Sequence, residues 1–356
     1  PGRHVPGGAR VSLAGRVDLL AADVGAQVKA LRTEVRSPTK YRAFRPQLLA
    51  LGPGVDSVVE ARYWFDGTEM NYELSIQNAA TGAGFVGNNP AFLLPSRAAN
   101  LDRHWLRVIG DGHIHDATSG LLYNAKVVRV SATHGGFYYT TGSVATQISP
   151  VQTSGGAPIS WKILDGFYVK GSYIPEVPFM PQNYVVYGDS ITRFENTAGQ
   201  IGDIGWAPQV QTDALRFGGG FARDGGTSAV ALANAKALSA DIGISQLGVN
   251  DIAQGVTQST TLANIQALAT KVGADKWMLL KIPPYDANPN AVISLNNAYQ
   301  TLATNKGWYI TDPWAAYRNA NGTWVTGASY DGTHPNAGPV AAAALNIRAA
   351  VTAALA

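Results

Sequence analysis

Ser190 closes the apolar run YVVYGDS, and Asp331 stands three residues before His334 in the turn DGTHP. Together these side chains can do nucleophilic chemistry. A hydroxyl attacks, an imidazole takes its proton, and a carboxylate fixes which ring nitrogen carries hydrogen. Asp and His three apart in a glycine-containing turn can both face one cleft. Taken alone, a serine after a strand is more often a helix N-cap than a nucleophile. The histidines narrow the pairing. Of His4, His104, His113, His115, His134 and His334, only His334 lies in the same half of the chain as Ser190. If that half does serine chemistry with a histidine base, His334 is the base.

Acyl transfer also needs hydrogen-bond donors for the oxyanion, each contributing about 3–4 kcal/mol to the transition state when preorganised. Asp224-Gly225-Gly226-Thr227-Ser228 precedes a helical stretch, and its glycines let a backbone N–H approach a ligand closely. Gly248-Val249-Asn250-Asp251 follows the apolar strand IGISQL, which places the Asn250 amide at the same sheet edge as Ser190.

In this order, GDS, a glycine-rich block, GVND and DGTHP resemble the four blocks of the SGNH (GDSL-type) hydrolase family, over about residues 183–356. The resemblance implies a three-layer α/β fold and a serine ester hydrolase that works through an acyl-enzyme, with no metal or cofactor. It makes Ser190 the nucleophile, His334 the general base and Asp331 its orienting partner. The N–H of Ser190, the N–H of Gly225 and the Asn250 side chain become the oxyanion donors. The double glycine departs from the family's second block and leaves Gly225 and Gly226 both open, with alignment to the following Thr-Ser favouring Gly225. Asp189 and Asp251 resemble the family's structural aspartates. Trp206 falls at a position where packing is expected rather than substrate contact.

The elements that must position these residues are legible in outline. Strands at YVVYG, IGISQLGV, KWMLLKIP and GWYITD alternate with helical stretches at 227–239, 258–273, 291–305 and 337–355. Such alternation argues for a parallel sheet covered by helices on both faces. Upstream, residues 41–175 read as many short strands punctuated by Gly, Asn, Ser and Pro, with a hairpin signal at Asp66-Gly67. That texture predicts an all-β sandwich or jelly roll. His113-Ile114-His115 stands beside Asp111 and Asp116, and residues two apart on a strand share a face, so a metal site is conceivable there. No further ligand cluster accompanies them, and they read as ordinary surface or turn residues.

Residues 11–36 predict a coiled-coil-like helix. Leu13, Val17, Leu20, Val24, Val28, Leu31 and Val35 form a narrow stripe suited to a helix–helix seam. The expected units are thus a flexible tail (1–10), an oligomerising helix (11–36), a β module (41–175) and a hydrolase domain (176–356).

Composition bounds the rest. The chain has 356 residues, 46% hydrophobic and 14% charged, which suits folded units rather than disorder. Net charge is only +3, so no nucleic-acid footprint is read. There is no cysteine, which excludes disulfides and thiolate chemistry. No apolar run is read as a membrane span, and PGRHVPGGAR lacks the layout of a signal peptide.

The strand-rich zone (ARYWFDGTEMNYELSIQ, VIGDGHIHDATSG, VVRVSATHGGFYYTTG) and the helix before it resemble modules of minor tail and tail-fibre proteins of actinobacterial phages. This resemblance implies a tail-associated esterase on the virion, a homotrimer in contact with other tail proteins. Its substrate would be an ester on a host cell-envelope glycan, with an O-acetyl group first and lipid esters second. The alternatives are a secreted bacterial carbohydrate esterase or lipase, and a catalytically silent receptor-binding tail protein.

Overall fold

The computed structural model describes residues 41–44, 48–49, 51–52, 58–77, 83–85, 91–96, 98–99, 108–116, 121–141, 144–147, 153–154, 157–158, 162–176, 180–193 and 205–356. The tail expected over 1–10 and the helix expected over 11–36 lie outside the described residues.

Strands Val58–Phe65 and Met70–Gln77 form a hairpin around Asp66-Gly67, with Phe65 opposite Met70. The Asp66 carboxylate closes the turn by accepting the N–H groups of Thr68 at 2.9 Å and Glu69 at 2.7 Å. Further antiparallel strands follow at Val108–Asp116, Leu121–Arg129, His134–Thr141 and Lys162–Tyr173. Among the described residues, twelve strands join one sheet, whose main path runs through nine strands from Arg42–Ala43 to Leu48–Leu49. Those two ends are only five residues apart in the chain, which spans at most ~17 Å, whereas nine strands laid flat would span ~38 Å. The sheet therefore curls. Its enclosed face carries alternating apolar residues, among them Tyr63, Phe65, Met70, Tyr72, Leu74, Val127 and Val169. What the described strands establish is a curled all-β sheet, with no jelly-roll connectivity shown.

From residue 182 the pattern is parallel. Strands β1 (Gln182–Gly188), β2 (Leu215–Ala222), β3 (Ile242–Gln246), β4 (Lys276–Leu280) and β5 (Tyr309–Thr311) lie in the order β2-β1-β3-β4-β5. Sequence reading names four of these and misses β2. Its core, Phe217-Gly218-Gly219-Gly220, has too few side chains to show strand periodicity.

The helices are α1 (Ser228–Asn234), α2 (Val249–Ala253), α3 (Gln258–Val272), α4 (Pro289–Lys306) and α5 (Ala337–Leu355). Right-handed crossovers from an order that reverses at β1 put the β1–β2 connection on one face and α1, α3 and α4 on the other. The final helix α5 packs on the 3-10 turn Ala207–Val210 and so covers the first face. By length and composition α5 could cross a membrane, but it buries Val340, Ala343, Ile347 and Val351 inside the fold. Helix α1 stops at Asn234, short of the expected 239. The chain beyond it turns to meet residues 41–43, where Ser239 O accepts the Ala43 N–H at 3.0 Å.

That meeting joins the curled sheet to the parallel one. Arg42 pairs with Asp241 at 2.7 Å and also donates to the carbonyls of Met180 and Pro181. The other Asp241 oxygen accepts the Asn183 N–H at 2.8 Å, while Asn183 Nδ2 donates to Ala43 O and Ser239 O. The side chains of Arg42 and Asp241 are only 12% and 9% exposed. Removing one partner of such a pair strands the other charge in a poorly solvated site. Arg42→Ala is therefore expected to lower unfolding stability by about 3 kcal/mol, measured by urea denaturation. A loss below about 0.5 kcal/mol would show that the pair does not hold the junction.

Candidate active site

Ser190 lies just beyond β1, at the carboxyl edge of the sheet and at the point where strand order reverses. Open α/β sheets leave a crevice there because the loops on either side of the reversal diverge. The turn that lifts Ser190 out is tight: Thr192 N–H returns to Asp189 O at 3.2 Å. A Cβ on Gly188 would fall 2.1 Å from Thr192 Oγ1, so only glycine fits beneath the turn.

His334 arrives from the other end of the domain, in the turn before α5. Its Nε2 lies 2.8 Å from Ser190 Oγ. Its Nδ1 lies 2.7 Å from Asp331 Oδ2. The other Asp331 oxygen accepts the backbone N–H groups of His334 at 2.6 Å and Thr333 at 2.9 Å. Burial works to raise the Asp331 pKa, but the His334 and Thr333 hydrogen bonds outweigh it and hold the carboxyl below its usual range. An ionised carboxylate only accepts, so Nδ1 carries the proton of the neutral ring and Nε2 is bare. Ser190 then donates to it.

The other two loops also reach this edge. Gly225 adopts φ +68°, a conformation that favours glycine, although a Cβ there would meet nothing within 4 Å. The neighbouring Gly226 N–H is committed to Arg223 O at 3.0 Å. Asn250, at the start of α2, donates its Nδ2 hydrogens to Gly226 O at 3.2 Å and Asp189 Oδ2 at 3.5 Å. Ser190, Gly225, Asn250, Asp331 and His334 are thus gathered at one edge.

Residues 186–338 match the family of GDSL-like lipases and acylhydrolases. That stretch is a GDSL-like domain. The three-layer fold expected of it is the one observed from β1 onward. No curated protein matches the chain. Among solved structures, a GDSL-like lipase from Bacteroides thetaiotaomicron is 19% identical, covering 49% of this chain and 87% of its own, with a TM-score of 0.38. A member of the lipolytic G-D-S-L family from Veillonella parvula is 16% identical, covering 48% and 98%, with a TM-score of 0.41.

Within the GDSL-like domain, Trp206 is fully buried and donates its indole N–H to Gln246 Oε1 at 2.7 Å, so it packs rather than meeting substrate. In the curled sheet, His113 packs at a tilt against Tyr168, with ring centroids 5.8 Å apart. Sequence reading missed three neighbours of the site. Asp286 donates its N–H to Gly332 O at 2.9 Å and accepts the Trp324 N–H at 2.8 Å, which braces the histidine turn against the loop after β4. Arg193 pairs with Asp224 at 2.5 Å. Tyr330 stacks on His334. Only Tyr330 left a readable signal, an aromatic residue directly before a polar turn.

Asp189 is 1% exposed, and burial pushes its carboxyl up to about 7 against the opposing pull of the Ile191 N–H and the His334 charge. Below the ordinary value of 3.8 it is protonated in both folded and unfolded chains. Between 3.8 and about 7 the unfolded chain releases the proton first, so folding stability falls as pH rises. Above that window the full penalty is present, on the order of 4 kcal/mol. Asp189→Asn lacks this titration. Its stability relative to wild type is expected to improve from pH 4 to about pH 7 and then level off towards pH 8 in urea unfolding. A difference that stays flat across that range would contradict the assignment.

Proposed function

We propose that this domain is a serine ester hydrolase. The observation that carries the reading is the relay from Ser190 Oγ to His334 Nε2 at 2.8 Å and from His334 Nδ1 to Asp331 at 2.7 Å, set at the sheet's carboxyl edge. Ser190 Oγ attacks the ester carbonyl carbon while its proton passes to His334 Nε2. The carbonyl oxygen becomes an oxyanion, received by the N–H groups of Ser190 and Gly225 and by the Asn250 amide. Gly225 suits this role better than Gly226, whose N–H is already engaged. Asn250 supplies the hydrogen that rests on Asp189, the longer of its two bonds. The tetrahedral adduct collapses, and the leaving alcohol takes the proton from Nε2. Water then gives a proton to His334 as it attacks the acyl carbon, and His334 returns that proton to Ser190 Oγ as the acid leaves.

The substrate we propose is an O-acyl ester, with acetyl first, on a cell-envelope glycan; a lipid ester is second. Support for this comes from the family resemblance. The resemblance of residues 11–175 to phage tail modules supports a place on a virion tail as a homotrimer, among other tail proteins.

The test is turnover of p-nitrophenyl acetate, butyrate and longer esters by wild type and Ser190→Ala. Wild type should be active and the variant slower by at least about a thousandfold. Retained activity in Ser190→Ala would overturn the nucleophile. Inactivity of the wild type at every chain length would overturn the reading as a general esterase.

A further inference from the structure

Tyr330 is 69% exposed, although it lies in a turn tied by several hydrogen bonds. Its N–H donates to His334 O at 3.3 Å, Ser329 Oγ donates to the same carbonyl at 2.6 Å, and Ser329 pairs with Pro335 across the turn. The ring is therefore held out by a closed backbone. It lies nearly parallel to the His334 imidazole, with an interplanar angle of 11° and centroids 5.7 Å apart. The exposed phenol ring thus stands beside the reacting imidazole and carries an aromatic surface from it into solvent.

The chemistry of the relay decides which half of an ester meets that surface. The proton on Nε2 must reach the leaving oxygen, so the alcohol half passes beside the imidazole. The carbonyl oxygen points instead toward Gly225 and Asn250, which turns the acyl half away from Tyr330. Nearby stands the Arg193–Asp224 ion pair, whose carboxylate is 61% exposed. Tyr330 lies within its electrostatic reach: partial burial, then the charges of Asp331 and Asp224, hold the phenol above its ordinary range. A flat apolar ring beside an exposed carboxylate, itself backed by a largely buried guanidinium, suits a molecule with an apolar ring face and hydroxyls at its edge.

We infer that Tyr330 is the specificity-determining wall of an alcohol-side subsite, and that the subsite takes a pyranose ring carrying the scissile ester. The inference rests on the ester-hydrolase reading of the same site and assigns the residue that selects its sugar alcohol.

The test compares kcat/KM for an O-acetylated methyl pyranoside, ethyl acetate and ethyl hexanoate in wild type, Tyr330→Ala, Tyr330→Phe and Tyr330→Trp. In Tyr330→Ala the preference for the pyranoside ester over ethyl acetate should fall about tenfold, chiefly through KM. Tyr330→Phe and Tyr330→Trp should retain it, and the acetate-to-hexanoate ratio should hold in all four proteins. An equal fall on every ester would overturn the inference and make Tyr330 a prop for the imidazole. A shifted acetate-to-hexanoate ratio would overturn it in favour of an acyl-side wall. Should wild type cleave none of the three, the esterase reading falls, and equilibrium dialysis of the methyl pyranoside still decides the subsite. Weaker binding to Tyr330→Ala than to wild type supports it, and equal binding overturns it.

Discussion

The candidate site depends on one buried carboxylate that does no chemistry itself. Asp251, 1% exposed, accepts the backbone N–H of Ser228 at 2.9 Å and its hydroxyl at 2.5 Å, and also the hydroxyl of Thr261. It thereby ties α2 to the first turns of α1 and α3. An unpaired carboxylate at this depth would be strongly unfavourable, so the three helix starts are locked in register wherever the charge is satisfied. Asn250, one residue earlier, is presented to the crevice by the same lock. Its amide then joins the loops after β1 and β2 through Asp189 and Gly226. Adjacent residues of one short helix divide the work: Asp251 faces inward to fix the loops, and Asn250 faces the reacting edge.

Much of this was legible because it is local. Asp331 and His334 are three apart in a turn, and their contact follows from that spacing. The strand at 184–187 and the apolar strands β3 and β4 announce themselves by composition. What was not legible is tertiary. The brace from Asp286 to Gly332 crosses two loops with no shared pattern, and the Arg193–Asp224 pair joins residues 31 apart. Strand β2 was hidden because three glycines remove the side chains that would mark a period. The curl of the upstream sheet was hidden for another reason. It comes from strands 42–43 and 48–49 sitting at opposite ends of the pairing order, and order is not written in periodicity.

The junction between the two sheets follows the same physics as the site. Arg42 satisfies two carbonyls and a carboxylate, and Asn183 satisfies both segments it touches, at Ala43 and Ser239. Tyr63, fully buried in the curled sheet, sends its hydroxyl to Pro181 O at 2.8 Å, and Arg216 of β2 donates to Pro95 O. Buried polar groups of this kind are directional. They specify one orientation between the sheets, where apolar contact alone would allow several. Gln182 begins β1 directly after this junction, and β1 ends at the Ser190 turn. The stacking that fixes the curled sheet therefore also fixes the strand that carries the serine.

The relay itself is open to water, and that limits what each member can contribute. The side chains of His334 and Asp331 are 32% and 39% exposed, so solvent screens much of the attraction between them. What screening leaves intact is geometry. An acceptor-only carboxylate 2.7 Å from Nδ1 admits one neutral tautomer, and that tautomer alone leaves Nε2 free to take a proton from Ser190. The same carboxylate caps two N–H groups of its own turn, so the turn cannot relax without releasing it. Asp331 therefore acts on Ser190 through orientation more than through charge. The braces on its turn, Ser329 from within and Asp286 from outside, become part of the chemistry although neither contacts a reacting atom.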